Sequence, residues 1–400
     1  MLSSTINLYK NSYGGLSRST WWLSLVMLVN RSGTMVVPFM TIYLTQKLGV
    51  GIGKAGFVMS MFGAGAVIGA LAGGRITDKI GYYYVQLFTL AGGGIMFIAL
   101  GQMESYTAIC ITTFILSMVN EAFRPANAVA IAHFSKPENR TRSYSLNRLA
   151  INLGWAFGSA LGGLIASYRY ELLFWVDGLT NITAAILLYF VFVPSKNVAT
   201  QKKKPATDVK VNSAYKDRTY LFFIGIKILF AICFFQMFTT VPVFYKTKLH
   251  LSESFIGINM AVNGLLIAFF EMIIVFKLEG RRPPVHYMAA GVFLIGTSYL
   301  MLNLPIANAM VLALSSVFFI TIGEIISMPF MNAYWISRTN PENRGQYAAL
   351  YTVAWSSAQA VGPFFGAELA EHFGYAVLWW AVGSICIFLT GAYWLLQRRS

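Results

Sequence analysis

Charge is what this sequence lacks. Of its 400 residues only 11% are Asp, Glu, Lys or Arg, while 56% are hydrophobic. A water-soluble domain carries about 25% charged residues, so a chain of this length cannot cover a water-facing surface. Cysteine is scarce as well. Cys110, Cys233 and Cys386 all lie inside apolar runs, and their odd number and lack of ligand spacing imply neither a disulfide framework nor a metal site. The four histidines, His133, His250, His286 and His372, fall at helix ends or in loops with no ligand spacing among them. No nucleotide-binding loop, His-Glu-x-x-His pattern or soluble cofactor domain is present. An enzyme is therefore not expected, and neither is a metal or cofactor. The first 18 residues are polar and contain no apolar signal core.

The apolar residues gather in twelve runs of about the 20 residues that a helix needs to cross a bilayer. The sequence predicts helices over 20–46, 52–73, 83–103, 107–133, 143–167, 171–193, 219–246, 253–277, 285–303, 308–335, 345–369 and 375–396. Glycine and proline inside such runs are compatible with membrane helices, because packed neighbours satisfy the freed backbone groups. The net charge of +15 does not point to nucleic acid, since the basic residues sit in short loops between apolar runs. With the N-terminus in the cytoplasm, 21 Lys and Arg residues fall on the cytoplasmic side and 5 on the other. That bias predicts two cytoplasmic termini in an inner (plasma) membrane protein.

The chain repeats itself. Pro137-Glu138-Asn139-Arg140 recurs 204 residues later as Pro341-Glu342-Asn343-Arg344. At the same offset Pro38 meets Pro242, Pro125 meets Pro329, Gly158 meets Gly362 and Gly162 meets Gly366, and after a three-residue gap Asp78 meets Glu279. The expected fold is an all-α membrane protein of two six-helix halves, 1–193 and 219–400, joined by a cytoplasmic linker at 194–218 that contains Gln-Lys-Lys-Lys-Pro. Parallel repeats of this kind place a solute site near the bilayer midplane between the halves.

Two stretches resemble a known family. Gly74-Arg-Ile-Thr-Asp78-Lys-Ile-Gly81 is similar to the signature loop of the major facilitator superfamily, with Tyr82, Tyr83 and Tyr84 where that family usually has basic residues. Its glycines are expected to turn the chain tightly between helices 2 and 3, with Asp78 capping a helix end or pairing with a nearby base. Glu279-Gly280-Arg281-Arg282 looks like a degenerate second copy. On helix 5, Gly154-x3-Gly158-x3-Gly162-Gly163 resembles the glycine motif of drug:proton antiporters, with Ser159 in place of that motif's proline; the second half has Gly362-Pro363. The resemblance implies a twelve-helix secondary transporter working by alternating access. Helices 1, 4, 7 and 10 would line its cavity, and the loop and helix 5 glycines would form its conformational gate.

Eight ionisable residues fall within the predicted helices: Arg31, Glu121, Arg124, Arg148, Asp177, Lys227, Glu271 and Glu324. A charge at the bilayer centre costs ~2.5–3.5 kcal/mol on insertion scales, so each is expected to be paired, to face a water-filled cavity, or both. Glu324 has no opposite charge within a turn on its own helix and is the first proton-carrier candidate. Glu121 and Asp177 are further candidates, although Glu121 stands one turn from Arg124 and also reads as its ion-pair partner. Arg31, Arg124, Lys227 and Asn120, the repeat partner of Glu324, are candidates for holding the solute. Arg148 is placed to pair with Asp78 or to reach the membrane surface. Tyr43, Phe123, Trp155, Phe235 and Trp355 are candidate ring surfaces in the cavity. The sequence therefore predicts a monomeric, proton-coupled transporter whose partners are protons, lipid and a small organic solute. Export of drug-like compounds is the leading mode; the alternatives are uptake of peptides or similar zwitterions, for which an arginine on helix 1 and a glutamate on helix 10 speak, and lipid translocation.

Overall fold

A computed structural model describes residues 15–136, 140–192, 213–278, 280–305, 308–339 and 344–399. The side chain of Asp78, residue Glu279, most of the Pro-Glu-Asn-Arg repeat and the linker up to residue 212 lie outside the described residues. The described chain is helical from end to end. Its spans are α1 (Arg18–Lys47), α2 (Ile52–Ile80), α3 (Tyr82–Leu100), α4 (Tyr106–Phe134), α5 (Arg140–Tyr168) and α6 (Glu171–Val191) in the first half. The second half holds α7 (Arg218–Thr247), α8 (Glu253–Leu278), α9 (Pro284–Leu300) and α10 (Ala309–Ser337). The last helical stretch, Arg344–Arg399, is two spans joined at Gly374, whose φ of 82° only glycine adopts without strain. Dividing it there gives α11 (344–373) and α12 (375–399), and the predicted twelve spans.

The structure corrects the sequence in three places. α2 does not end at residue 73. It runs on through Gly74 and the backbone of Asp78 to Ile80, and the turn into α3 is made by Gly81 alone, at φ 87°. Gly74 is thus a helix residue beside Pro125, with no role in turning the loop. α1 and α4 are both broken. α1 is a helix over Arg18–Ser32 and a second over Val36–Ile42 that ends in a π turn, Tyr43–Lys47. The missing acceptors for the second segment come from α6. Both carboxylate oxygens of Asp177 accept the Met35 N–H, at 3.0 and 3.2 Å, and one accepts the Val36 N–H at 2.9 Å. Pro38 then sits in the first turn, where the amide it lacks would have been unpaired anyway. α4 breaks at Ala122, between Tyr106–Glu121 and Phe123–Phe134. Pro125 explains it, because proline removes the N–H that would reach the Glu121 carbonyl. The repeat partners Pro242 and Pro329 lie inside continuous helices.

The halves meet along α5 with α8 and along α2 with α11. One end of the bundle, the near end, carries Ser17, whose hydroxyl donates to the Phe134 carbonyl at 2.8 Å. At the far end the halves are drawn together. Thr41 Oγ1 donates to the Thr239 carbonyl at 3.0 Å, Tyr170 Oη donates to Glu253 at 2.6 Å, and the Gly53 N–H at the start of α2 donates to Glu371 of α11. Lys246 pairs with the same Glu253 at 2.8 Å. Gly163 and Gly257 bring the α5 and α8 backbones together there, so that a Cβ at Gly163 would lie 2.5 Å from the Glu253 carbonyl oxygen.

At the near end one carboxylate ties three helices. Asp217 caps α7 through the Tyr220 N–H at 2.9 Å, accepts from Arg338 of α10 at 3.0 Å and accepts from the Tyr347 hydroxyl of α11 at 2.9 Å. Burial alone would raise the Asp217 pKa, but the Tyr220 amide, the Tyr347 hydroxyl and the Arg338 guanidinium together hold it below the usual carboxylate range. Stability from a lowered carboxylate pKa is complete above the unfolded-state value of about 3.9 and is lost as pH falls through the folded value. Asp217→Asn can still cap α7 but removes the charge that Arg338 and Tyr347 meet, and should therefore lower stability at pH 7 by about 1 kcal/mol, the difference between a charged and a neutral acceptor. The gap from the parent should close below about pH 3. Thermal melts across pH check this, and a gap independent of pH would rule out the charge as its source.

Candidate functional site

Between the halves lies a cavity of about 640 Å³, within the range of ~300–1,000 Å³ that accommodates drug-sized ligands. It sits where α1 and α4 break, and it reaches toward the near end along Ala128, Ile131 and Tyr144. Its two walls differ. The first half contributes Arg31, Asn120, Glu121, Arg124, Asn147 and Asn181; the second contributes Phe234, Phe235, Phe238, Met328 and Trp355, with Asn263, Glu324 and Gln359 among them. Charges and amides are concentrated on the first half, while rings come from both, with Phe62, Phe97 and Trp155 of the first half facing the same space.

The charges on the polar wall are arranged in a definite order. Glu121, 8% exposed, takes Arg124 at 2.9 Å, while the Arg124 side chain stays 58% exposed to the cavity. Arg31 lines the same wall, and its Nε is buried with no hydrogen-bond partner among the described residues. Gly154 makes room for it, since a Cβ there would lie 2.5 Å from Arg31 Cβ. Gly158 and Gly162 continue this close seating of α5 against α1, beside the Ser32 carbonyl and Met35. The helix 5 glycines therefore build the wall that carries the arginine.

Glu324 lines the opposite wall from α10. Its Oε2 accepts from Asn263 Nδ2 at 3.4 Å, and it makes no ion pair among the described residues. Arg148 does pair, but across the halves. Its guanidinium lies 2.7 Å from Glu271 of α8; the expected partner Asp78 has its side chain outside the described residues. Asp177 does not line the cavity; it is fully buried and spends both oxygens on the α1 break. Lys227 is absent from the lining too. It is 1% exposed and sits behind Trp355, among rings. Of the ring candidates Trp155, Phe235 and Trp355 line the cavity, while Tyr43 and Phe123 are packed in the core.

Counting only charges missed the asparagines. Asn30 Nδ2 donates to Asn181 Oδ1 at 2.8 Å, Gln86 Nε2 to Asn127 Oδ1 at 3.2 Å, and Asn127 Nδ2 to Asn147 Oδ1 at 3.3 Å. These amides knit α1, α3, α4, α5 and α6 behind and within the polar wall. The available signal was an amide inside an apolar run, which must find a partner in a medium without water. The described residues contain no cluster of His, Cys, Asp and Glu suited to a metal, and all three cysteines are free and buried.

Residues 22–363 match the Major Facilitator Superfamily. The chain is 25% identical to YttB, an uncharacterized MFS-type transporter of Bacillus subtilis, over 88% of each chain. It is 24% identical to a Na(+), Li(+), K(+)/H(+) antiporter of Planococcus maritimus, over 90% of this chain and 91% of the antiporter. With the quinolone resistance protein NorA of Staphylococcus aureus the identity is 21%, over 87% and 89%. Among solved structures, a POT family transporter in complex with 5-aminolevulinic acid superposes with a TM-score of 0.80 over 97% of both chains at 14% identity, a likeness of fold alone. With a family match over most of its length, and twelve spans closed around one solute-sized cavity, the chain belongs to the Major Facilitator Superfamily and is a multi-pass membrane transporter.

Proposed function

We propose that this transporter is proton-coupled and moves a small amphipathic organic solute by alternating access, with export of drug-like compounds as its main mode. The observation that carries this reading is the cavity with Glu324 in its wall: rings for an apolar body, amides and guanidinium groups for polar atoms, and a carboxylate without an ion-pair partner among the described residues to take up and release a proton. Solute and proton are the partners, and no cofactor enters the cycle. The basic bias of the loops places both termini in the cytoplasm of the inner membrane. The near end then faces inward, and the contacts among Thr41, Thr239, Gly53 and Glu371 close the outside. Rocking of the halves along α5–α8 and α2–α11 would reverse that arrangement. Similarity to a quinolone resistance protein favours export.

A second reading has its own observation. Arg31 and Glu324 stand on opposite walls as the cavity charges left without an ion pair among the described residues, a pattern that suits a zwitterion such as a short peptide. The test is accumulation of the cationic dye ethidium in everted vesicles energised to be acid inside. Export with proton exchange gives uptake that an uncoupler abolishes. If ethidium never accumulates, while labelled dipeptide enters right-side-out vesicles down a proton gradient, the second reading replaces the first.

A further inference from the structure

Lys227 is a buried charged residue that, among the described residues, neither lines the cavity nor makes an ion pair. It projects from α7 into a fully enclosed space. Its Nζ lies 4.4 Å from the centre of the Trp355 ring, 5.0 Å from Tyr351 and 5.2 Å from Phe230, and 3.4 Å from Met331 Sδ. No carboxylate comes within ion-pair distance among the described residues. A buried ammonium without a counter-ion is among the most costly groups a protein can hold. Ring faces and a polarisable sulfur offset part of that cost, as they do for any cation enclosed by aromatics. A lysine that only filled space here would be better replaced by methionine or leucine.

The surrounding charges show what else it could serve. The carboxylate that acts on Lys227 through space is Glu324. Glu324 in turn is influenced by Lys227 of α7, by Glu271 and Asn263 of α8 and by Arg148 of α5. Arg148 and Glu271 already satisfy each other at 2.7 Å, which leaves Lys227 as the uncommitted cation. Met331, against which the ammonium rests, lies seven residues beyond Glu324 on α10. Seven residues are two helical turns, so both face the same side of α10, about 10 Å apart along its axis. Trp355 stands at once in the cage and in the cavity wall, so solute in the cavity touches the cage directly.

We propose that Lys227 is the moving counter-charge of Glu324: its ammonium rests in the aromatic cage while Glu324 carries a proton, and goes to the carboxylate when that proton leaves for the cavity water. Lys227 keeps its own proton throughout; only the Glu324 O–H bond breaks and re-forms. The pairing gives the deprotonated carboxylate a partner in the bilayer, and by vacating the cage it alters the Trp355 wall that the solute meets. This rests on Glu324 being the proton carrier, as proposed above.

The experiment needs no knowledge of the solute. Infrared difference spectra of the purified full chain in lipid nanodiscs, recorded across pH, contain the C=O stretch of each protonated carboxyl group, and the band missing in Glu324→Gln belongs to Glu324. In Lys227→Met the pH at which this band is half-formed should rise by about one unit, a tenfold change in proton affinity. Lys227→Gln, a second neutral variant should the first not fold, should do the same, while Lys227→Arg, which keeps the charge, should shift it less. An unmoved midpoint in both neutral variants overturns the pairing and leaves Glu324 as carrier. No Glu324 band at any pH from about 4 to 9 overturns the carrier reading itself, and the pairing with it.

Discussion

Glu324→Gln is expected to stop proton-driven accumulation of solute while leaving exchange of solute at equal pH in place. Glutamine has the same size and still accepts from Asn263, so the cavity keeps its shape, but it cannot release a proton. Driven transport should fall by roughly a hundredfold, about 2.7 kcal/mol in the coupled step. The pH dependence of exchange should flatten, because the group that titrates is gone. Reconstituted vesicles preloaded with unlabelled ethidium give both readouts from one preparation. Equal loss of driven transport and exchange would assign Glu324 to solute binding or to folding, and would return the carrier role to Glu121.

Asp177→Ala should cost the first half much of its stability. Two N–H groups at the α1 break would each lose their acceptor where no water can replace it. A buried donor left unsatisfied costs ~1–3 kcal/mol, so a loss of about 3 kcal/mol follows. Asp177→Asn keeps one accepting oxygen and should lose about half as much. Thermal melts in detergent measure this. Vesicle transport with Asp177→Asn separates the two roles the sequence left open: a capping residue leaves the pH profile of transport unchanged. An unaltered melting temperature together with lost proton drive would make Asp177 a carrier after all.

These residues also show how far the sequence could be read. Span number and the charges near the midplane were legible, because each follows from the cost of placing polar groups in hydrocarbon. Which charge meets which was legible only within one turn, as for Glu121 and Arg124, since Arg148 and Glu271 are 123 residues apart and belong to different halves. The repeat gave Pro38 and Pro242 the same place, yet only the first lies at a break. What separates them is a carboxylate on a neighbouring helix, which no local pattern reveals. The cage around Lys227 was hidden for a related reason. Phe230, Tyr351 and Trp355 come from two helices, and aromatic residues in apolar runs are too common for the sequence to single them out. Gly74 misled in the opposite direction, because a glycine near a loop reads as a turn, while its neighbour Gly81 does the turning.

The broken α1 and interrupted α4, set against the uninterrupted α7 and α10, make the two halves unequal although their sequences repeat. The first is jointed at the depth of Arg31 and Glu121, and the outer piece of its α1 reaches across to touch α7. If Arg31 holds the solute, as proposed, a solute settling there would press on this joint, whose outer piece is part of the far closure.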